Sequence, residues 1–302
     1  MRSDFVIEAH DRTVTGKPRA LALSGFDQPF VRLASNPGLA EQEARRGAGD
    51  RRDNLAVHRL ADRLSEIKAL TGPSTTHAVD ELAAALFAEA SNFAPVIEAI
   101  RRSAQVIIRR GAQWLQFRPI VIHSGAGSGK TRFAHRLAEL SGLQLVYLDC
   151  AAMTNLSPIL SQDATWSGAR ASEVVQAVAN SRSANLIVCL DELDKTRDYG
   201  RHSSPKPSEA LVGLFEKRSA ASHLDNYLQL SVDLSFTNWI ILVNDLSRIS
   251  QPLLDRCEVI RLPPPSPHDI AQIAAREIER RGLEPDLVIA ITKSVRQGKI
   301  TS

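Results

Sequence analysis

Ser124-Gly125-Ala126-Gly127-Ser128-Gly129-Lys130-Thr131 follows a short apolar run, Pro119-Ile120-Val121-Ile122-His123, and opens a helix-forming stretch. Backbone N–H groups can close on phosphate oxygens only where side chains do not block the approach. Gly125, Gly127 and Gly129 meet that need. Ala126 and Ser128 complete the loop between them. Lys130 is placed to pair with β- and γ-phosphates, and the Thr131 hydroxyl to hold Mg²⁺. The helix beginning at Thr131 adds the positive end of its dipole. Ser124 stands where such loops usually carry their first glycine. Serine accepts many backbone conformations, so phosphate binding is expected to survive.

A second stretch belongs with the first. Leu186-Ile187-Val188-Cys189-Leu190 is an apolar strand that ends in Asp191-Glu192. Asp191 is suited to orient Mg²⁺, and Glu192 to polarise an attacking water as general base. Asp194 and Lys195 read as structural. Asn244 ends another apolar strand, Trp239–Val243, where a polar side chain would lie beside the γ-phosphate; taken alone, it is a common turn residue. Arg256, in Leu253-Leu254-Asp255-Arg256, precedes the last strand. It is suited to reach a neighbouring subunit's nucleotide, and equally suited to a salt bridge.

Between these motifs runs an α/β rhythm. The expected strands are Pro119–His123, Leu143–Leu148, Leu186–Leu190, Trp239–Val243 and Cys257–Leu262. The helix Thr131–Leu140 carries Phe133, Leu137 and Leu140 on one side and stops at Gly142. Short, wholly apolar strands alternating with helices predict a parallel sheet covered on both faces. The fold class is therefore α/β. Helical periodicity is also expected over Pro95–Trp114, over Leu55–Leu70 with Leu60, Leu64 and Ile67 on one face, and over the Ala-rich Asp80–Ala90. Residues 34–54, rich in Gly, Asn, Pro and Arg, predict a loop or disorder. After Pro263-Pro264-Pro265, Ser266 is an N-cap with Asp269 three residues on. A helix through Ile270, Ile273, Ala274 and Ile278 follows to Gly282, then a second over 285–295. The expected division is 1–92 as an N-terminal segment, 93–262 as an α/β domain, and 263–302 as a small helical appendix.

Bulk properties narrow the class. Of 302 residues, 43% are hydrophobic and 24% charged, which suits a globular chain with a real core. A net charge of +3 does not demand nucleic acid. The Arg pairs at 45–46, 51–52, 101–102 and 109–110 permit such contact, although solvated faces are the commoner outcome. There is no membrane-spanning run, and Met1–Phe5 lacks a signal-peptide core. Cys150, Cys189 and Cys257 show no metal-ligand spacing and read as small buried apolar residues. A cytoplasmic location is expected.

The order of phosphate loop, Leu-Asp-Glu-Leu-Asp-Lys, Asn244 and Leu-Leu-Asp-Arg resembles AAA+ ATPases, and in particular the ATPase module of Lon proteases. Thr165-Trp166-Ser167-Gly168-Ala169, residues 208–234 and Leu253–Arg261 carry the likeness, which covers about residues 95–300. The resemblance implies a P-loop NTPase sheet with a helical lid, ATP and Mg²⁺ as cofactors, and a ring, usually a hexamer, acting on a protein client. It implies sensor-1 for Asn244, an arginine finger for Arg256, a client-gripping pore loop for Trp166, a second pore loop at 196–207, and a sensor-2 role for Arg296. A buried core position is the alternative for Trp166. The chain departs from Lon in three respects. No counterpart of the serine–lysine protease domain appears, so peptidase activity is not expected; the lid is short by a helix; and the first ninety residues do not match. Two other classes stay open: an ATP-dependent loader acting on nucleic acid, and a nucleotide-gated binding module with little turnover.

Overall fold

The computed structural model describes residues 29–35, 51–164, 166, 168–196, 207–264, 266, 269–271, 275, 278, 282 and 293–294. Along the chain these form β1 (Phe30–Arg32), α1 (Arg51–Ser65), β2 (Ile67–Ala69), α2 (Thr76–Glu89), α3 (Ala94–Arg109), β3 (Ile120–His123) and α4 (Lys130–Ser141). Then come β4 (Leu145–Asp149), α5 (Glu173–Asn180), β5 (Ile187–Asp191), β6 (His223–Asp225), β7 (Leu230–Val232), β8 (Asn238–Val243) and β9 (Glu258–Arg261), with short helical turns between them.

β4, β5, β8, β3 and β9 lie in that order in one five-stranded sheet, every pair parallel. These are the five strands expected from the apolar runs. Alternation along each strand separates two faces. Val121, Val146, Leu148, Val188, Leu190 and Ile241 point to one side and join a core completed by α1 and α5. Ile120, Ile122, Ile187, Cys189, Ile240 and Leu242 point to the other and pack under α2, α3 and α4. The sheet is buried on both faces because it has no polar alternation to offer solvent. Cys150, Cys189 and Cys257 are buried free thiols.

Several sequence expectations need correction. The helix expected over Leu55–Leu70 begins at Arg51 and stops at Ser65, so Ile67 is not on its face. The Ser65 hydroxyl bonds back to the Asp62 carbonyl. Ile67–Ala69 then pairs antiparallel with Phe30–Arg32, a long-range partnership with no local signature. The helix expected to reach Trp114 ends at Arg109. Gly111, at φ +99°, takes the chain into a backbone region that does not continue a helix. Leu115 is fully buried in the loop beyond rather than on the helix. Residues ahead of 93 share the domain core, since Val79, Leu82 and Leu86 of α2 pack with Phe133 and Leu137 of α4. After the prolines, Ser266 and Asp269 form the expected reciprocal cap, at 2.9 and 3.2 Å.

Candidate nucleotide site

Parallel strands deliver their carboxyl ends to one edge, and the loop after β3 stands there. Gly127 and Gly129 take φ of +75° and +87°. An L side chain would pay about 1–2 kcal/mol at each. Gly125 differs, because a Cβ built on it meets nothing within 4 Å and its φ is ordinary. The fold itself therefore makes no demand for glycine at this position. Ser124 also has an ordinary φ, and its hydroxyl shares a 2.6 Å hydrogen bond with the Ser128 hydroxyl. The serine in place of glycine therefore ties the loop rather than distorting it.

Lys130 turns back under the loop. Its ammonium donates to the Ser124 carbonyl at 2.8 Å, the Gly125 carbonyl at 3.0 Å and Asn244 Oδ1 at 2.8 Å. Burial pushes its pKa below the ordinary lysine value, opposed by Asp191, Asp194 and Glu192. A buried ammonium satisfied by neutral oxygens favours an arriving anion, because charge-assisted bonds are the stronger ones. Asn244 directly follows β8 and is held from behind, its own N–H reaching Asp194 Oδ1 at 3.3 Å. Asp194 is thus structural, as expected, and sets the position of Asn244.

Asp191 ends β5 beside β8. The Thr131 hydroxyl donates to its Oδ2 at 2.5 Å, and the Tyr147 hydroxyl donates to the same oxygen at 2.9 Å. Two hard oxygen groups from the loop and the strand therefore meet at one point. That donor chemistry suits Mg²⁺, which takes oxygen ligands through one or two carboxylates plus phosphates. Glu192 follows at φ +54°, a strained backbone for a non-glycine residue. Its carboxylate accepts from Lys195.

Beside the loop lies a cleft of about 270 Å³. Gly127, Ser128 and Gly129 form one wall. Phe93 and Phe133, stacked with ring centroids 4.6 Å apart, line it together with Leu86, Asn92 and Ile270. The cleft was not anticipated from sequence. Its lining comes from α2 and the turn after it, from α4 and from the segment after the prolines, which only the tertiary fold brings together.

The structure thus gathers Ser124–Thr131, Asp191, Glu192 and Asn244. Arg256 stands apart, just before the start of β9, at the opposite end of the sheet. Its Nη1 donates to the Pro252 carbonyl at 2.9 Å, and its Nη2 is 3.9 Å from Glu216. Trp166 is 70% exposed in a turn between Asp163 and Ala169, which removes the core reading of that residue. Arg296 and most of residues 196–207 lie outside the described residues.

Comparison with known proteins gives a family for part of the chain. Residues 120–264 match the AAA family, described as the ATPase family associated with various cellular activities. Mitochondrial Lon protease homologs are 32% identical over 143 residues in Mus musculus and 35% over 136 in Saccharomyces cerevisiae. These matches cover 47% and 45% of this chain and 15% and 12% of those proteins. A peroxisomal Lon protease homolog 2 of Pichia angusta is 30% identical over 176 residues, 56% of this chain and 19% of its own. The chain therefore spans less than a fifth of the length of these relatives. Among solved structures, a closed-state cryo-EM reconstruction of Hsp104 with ATPγS and FITC-casein matches with a TM-score of 0.53. It is 16% identical and covers 67% of this chain and 39% of that one, a likeness of fold. Residues 120–264 are accordingly an AAA domain, of the ATPase family, similar in sequence to the corresponding region of Lon proteases.

Proposed function

We propose that the chain binds ATP with Mg²⁺ and hydrolyses it, and that as a ring it couples the reaction to remodelling of a protein client. The pairing of Lys130 with Asn244 and of Thr131 with Asp191, at the carboxyl ends of the strands, carries the nucleotide part of this reading. Gly125, Gly127, Gly129 and the opening of α4 present backbone N–H groups to the phosphates. Lys130 exchanges its carbonyl partners for phosphate oxygens. Thr131 and Asp191 would hold Mg²⁺, which neutralises phosphate charge when bound. Glu192, once released from Lys195, accepts a proton from the attacking water, and Asn244 orients that water. The apolar cleft floored by Phe93 and Phe133 takes the nucleoside end. Arg256, at the far end of the sheet, is placed to serve a neighbouring copy's nucleotide rather than its own.

Client remodelling is supported by the exposure of Trp166, an aromatic side chain free to grip a polypeptide. It is further supported by likeness to Lon proteases and to a structure of Hsp104 solved with casein. A nucleic-acid role is the weaker reading, because Arg101 is engaged by Asp80 and Glu98, and Arg102 by Glu258. The test is the steady-state ATPase rate alone, with a disordered polypeptide and with DNA. Stimulation by polypeptide that disappears in Trp166→Ala is the expected result. Stimulation by DNA alone would replace the client reading, and absence of turnover in every condition would replace the enzyme with a nucleotide-gated binder.

A further inference from the structure

We propose that Tyr147 is a positioning residue of the metal–nucleotide site, its hydroxyl fixing the Asp191 carboxylate in the orientation that a Thr131-bound cation requires. The inference rests on the nucleotide reading above and adds to it a residue from a strand outside the phosphate loop and its acidic partner.

The sheet places it there. β4 is one of the two edge strands and pairs in parallel with β5, with Tyr147 opposite Cys189 and Asp149 opposite Asp191. Side chains alternate faces, so Tyr147 shares a face with Leu145, Cys189 and Asp191 while Val146 and Leu148 point to the other core. Asp191 is thus the diagonal neighbour of Tyr147, at a separation that only a long side chain spans. The tyrosine ring crosses it and delivers its O–H to Asp191 Oδ2 at 2.9 Å. The ring is 40% exposed, so burial of apolar surface alone does not account for a tyrosine here. His135 of α4 flanks it, with ring centroids 5.7 Å apart.

Asp191 Oδ2 accepts from two hydroxyls, and these are not equivalent. Thr131 would itself help to hold the cation, so its oxygen would be committed once metal is bound. Tyr147 has no such duty, and its bond to Oδ2 persists through the exchange. It stops the carboxylate from rotating when the Thr131 contact changes. Partners that orient a ligating group in this way typically contribute about 10–100-fold to metal affinity.

The experiment compares wild type and Tyr147→Phe, which keeps the ring and removes only the hydroxyl. ATPγS affinity is measured by calorimetry with Mg²⁺ and again with EDTA. The ratio of the two affinities isolates the metal's contribution, and a thermal melt of each protein without nucleotide reports the fold. The expected result is a ratio about tenfold smaller in the variant, with the EDTA affinity and the melt unchanged. An unchanged ratio, or equal losses with and without Mg²⁺, would overturn the positioning role. A wild-type protein that binds no ATPγS in either condition would instead sink the nucleotide reading, and this inference with it.

Discussion

Lys130 Nζ donates to Asn244 Oδ1 at 2.8 Å, joining the phosphate loop after β3 to the end of β8 across 114 positions of sequence. The bond ties Asn244 to the proposed phosphate site with no nucleotide present. Asn244→Ala removes the side chain proposed to orient water but leaves the loop's backbone N–H groups in place. Hydrolysis is expected to fall on the order of 10²-fold, as for loss of one aimed polar group in an active site. ATPγS affinity should change by less than about threefold. Comparable losses in both would place Asn244 in ground-state binding and remove its role in placing water.

The loop glycines separate fold from ligand. Gly129 has φ +87° and a Phe93 ring carbon 3.9 Å from where a Cβ would stand. Gly129→Ala therefore strains the loop by about 1–2 kcal/mol and lowers the melting temperature. Gly125→Ala meets open space and keeps the native melt. Both variants should bind ATPγS at least about tenfold more weakly, since the added methyl of Gly125→Ala stands only in a ligand's way. Tight binding by Gly125→Ala would show that phosphates do not approach that face of the loop.

The loop and its two strands were legible in sequence for a local reason. Each is a contiguous segment whose residue types answer one physical demand: glycine for positive φ, aliphatics for a strand buried on both faces, carboxylates at a strand end. The cleft was not legible, because Leu86, Phe93, Phe133 and Ile270 come from four separate segments. Tyr147 was missed for the same reason. Its relation to Asp191 depends on strand register, and register is set by the whole sheet. Ile67 read as helical because its spacing from Leu60 and Leu64 fits 3.6 residues per turn. Pairing with Phe30–Arg32 overrode that local preference. Trp166 was placed by resemblance and Arg256 by its position before the last strand, and among the described residues neither bonds to a residue of the site.

His223 introduces a pH dependence of stability. Its Nε2 is buried with no partner among the described residues, and burial pushes the imidazole pKa below the usual 6.5. The unfolded chain therefore binds a proton that the native chain resists. Stability falls as pH drops through 6.5 toward the lowered native value, and this contribution is flat above that window. Urea unfolding at pH 7.5 and 5.5 should show a smaller acid loss for His223→Gln than for wild type. Equal losses in the two proteins would mean that His223 protonates as readily in the native state.

Arg256 gives the sharpest test of assembly. It sits at the end of the sheet away from the phosphate loop, and among the described residues it is tied to the Pro252 carbonyl and loosely paired with Glu216. A half-exposed pair of this kind contributes little to folding. Arg256→Ala is therefore expected to keep its melt and its ATPγS affinity while hydrolysis falls roughly 10³-fold, the scale at which an inserted arginine stabilises phosphoryl-transfer charge. If the side chain acts on the next copy, the defect is curable by a neighbour. Glu192→Gln subunits lack the proposed general base but keep Arg256. Mixed in equal amounts with Arg256→Ala, they supply the missing guanidinium to sites whose own Glu192 is intact. The mixture should then hydrolyse ATP well above the sum of its two inactive components. Activity equal to that sum would mean that Arg256 acts within its own subunit or serves only the fold, and the arginine-finger assignment would go.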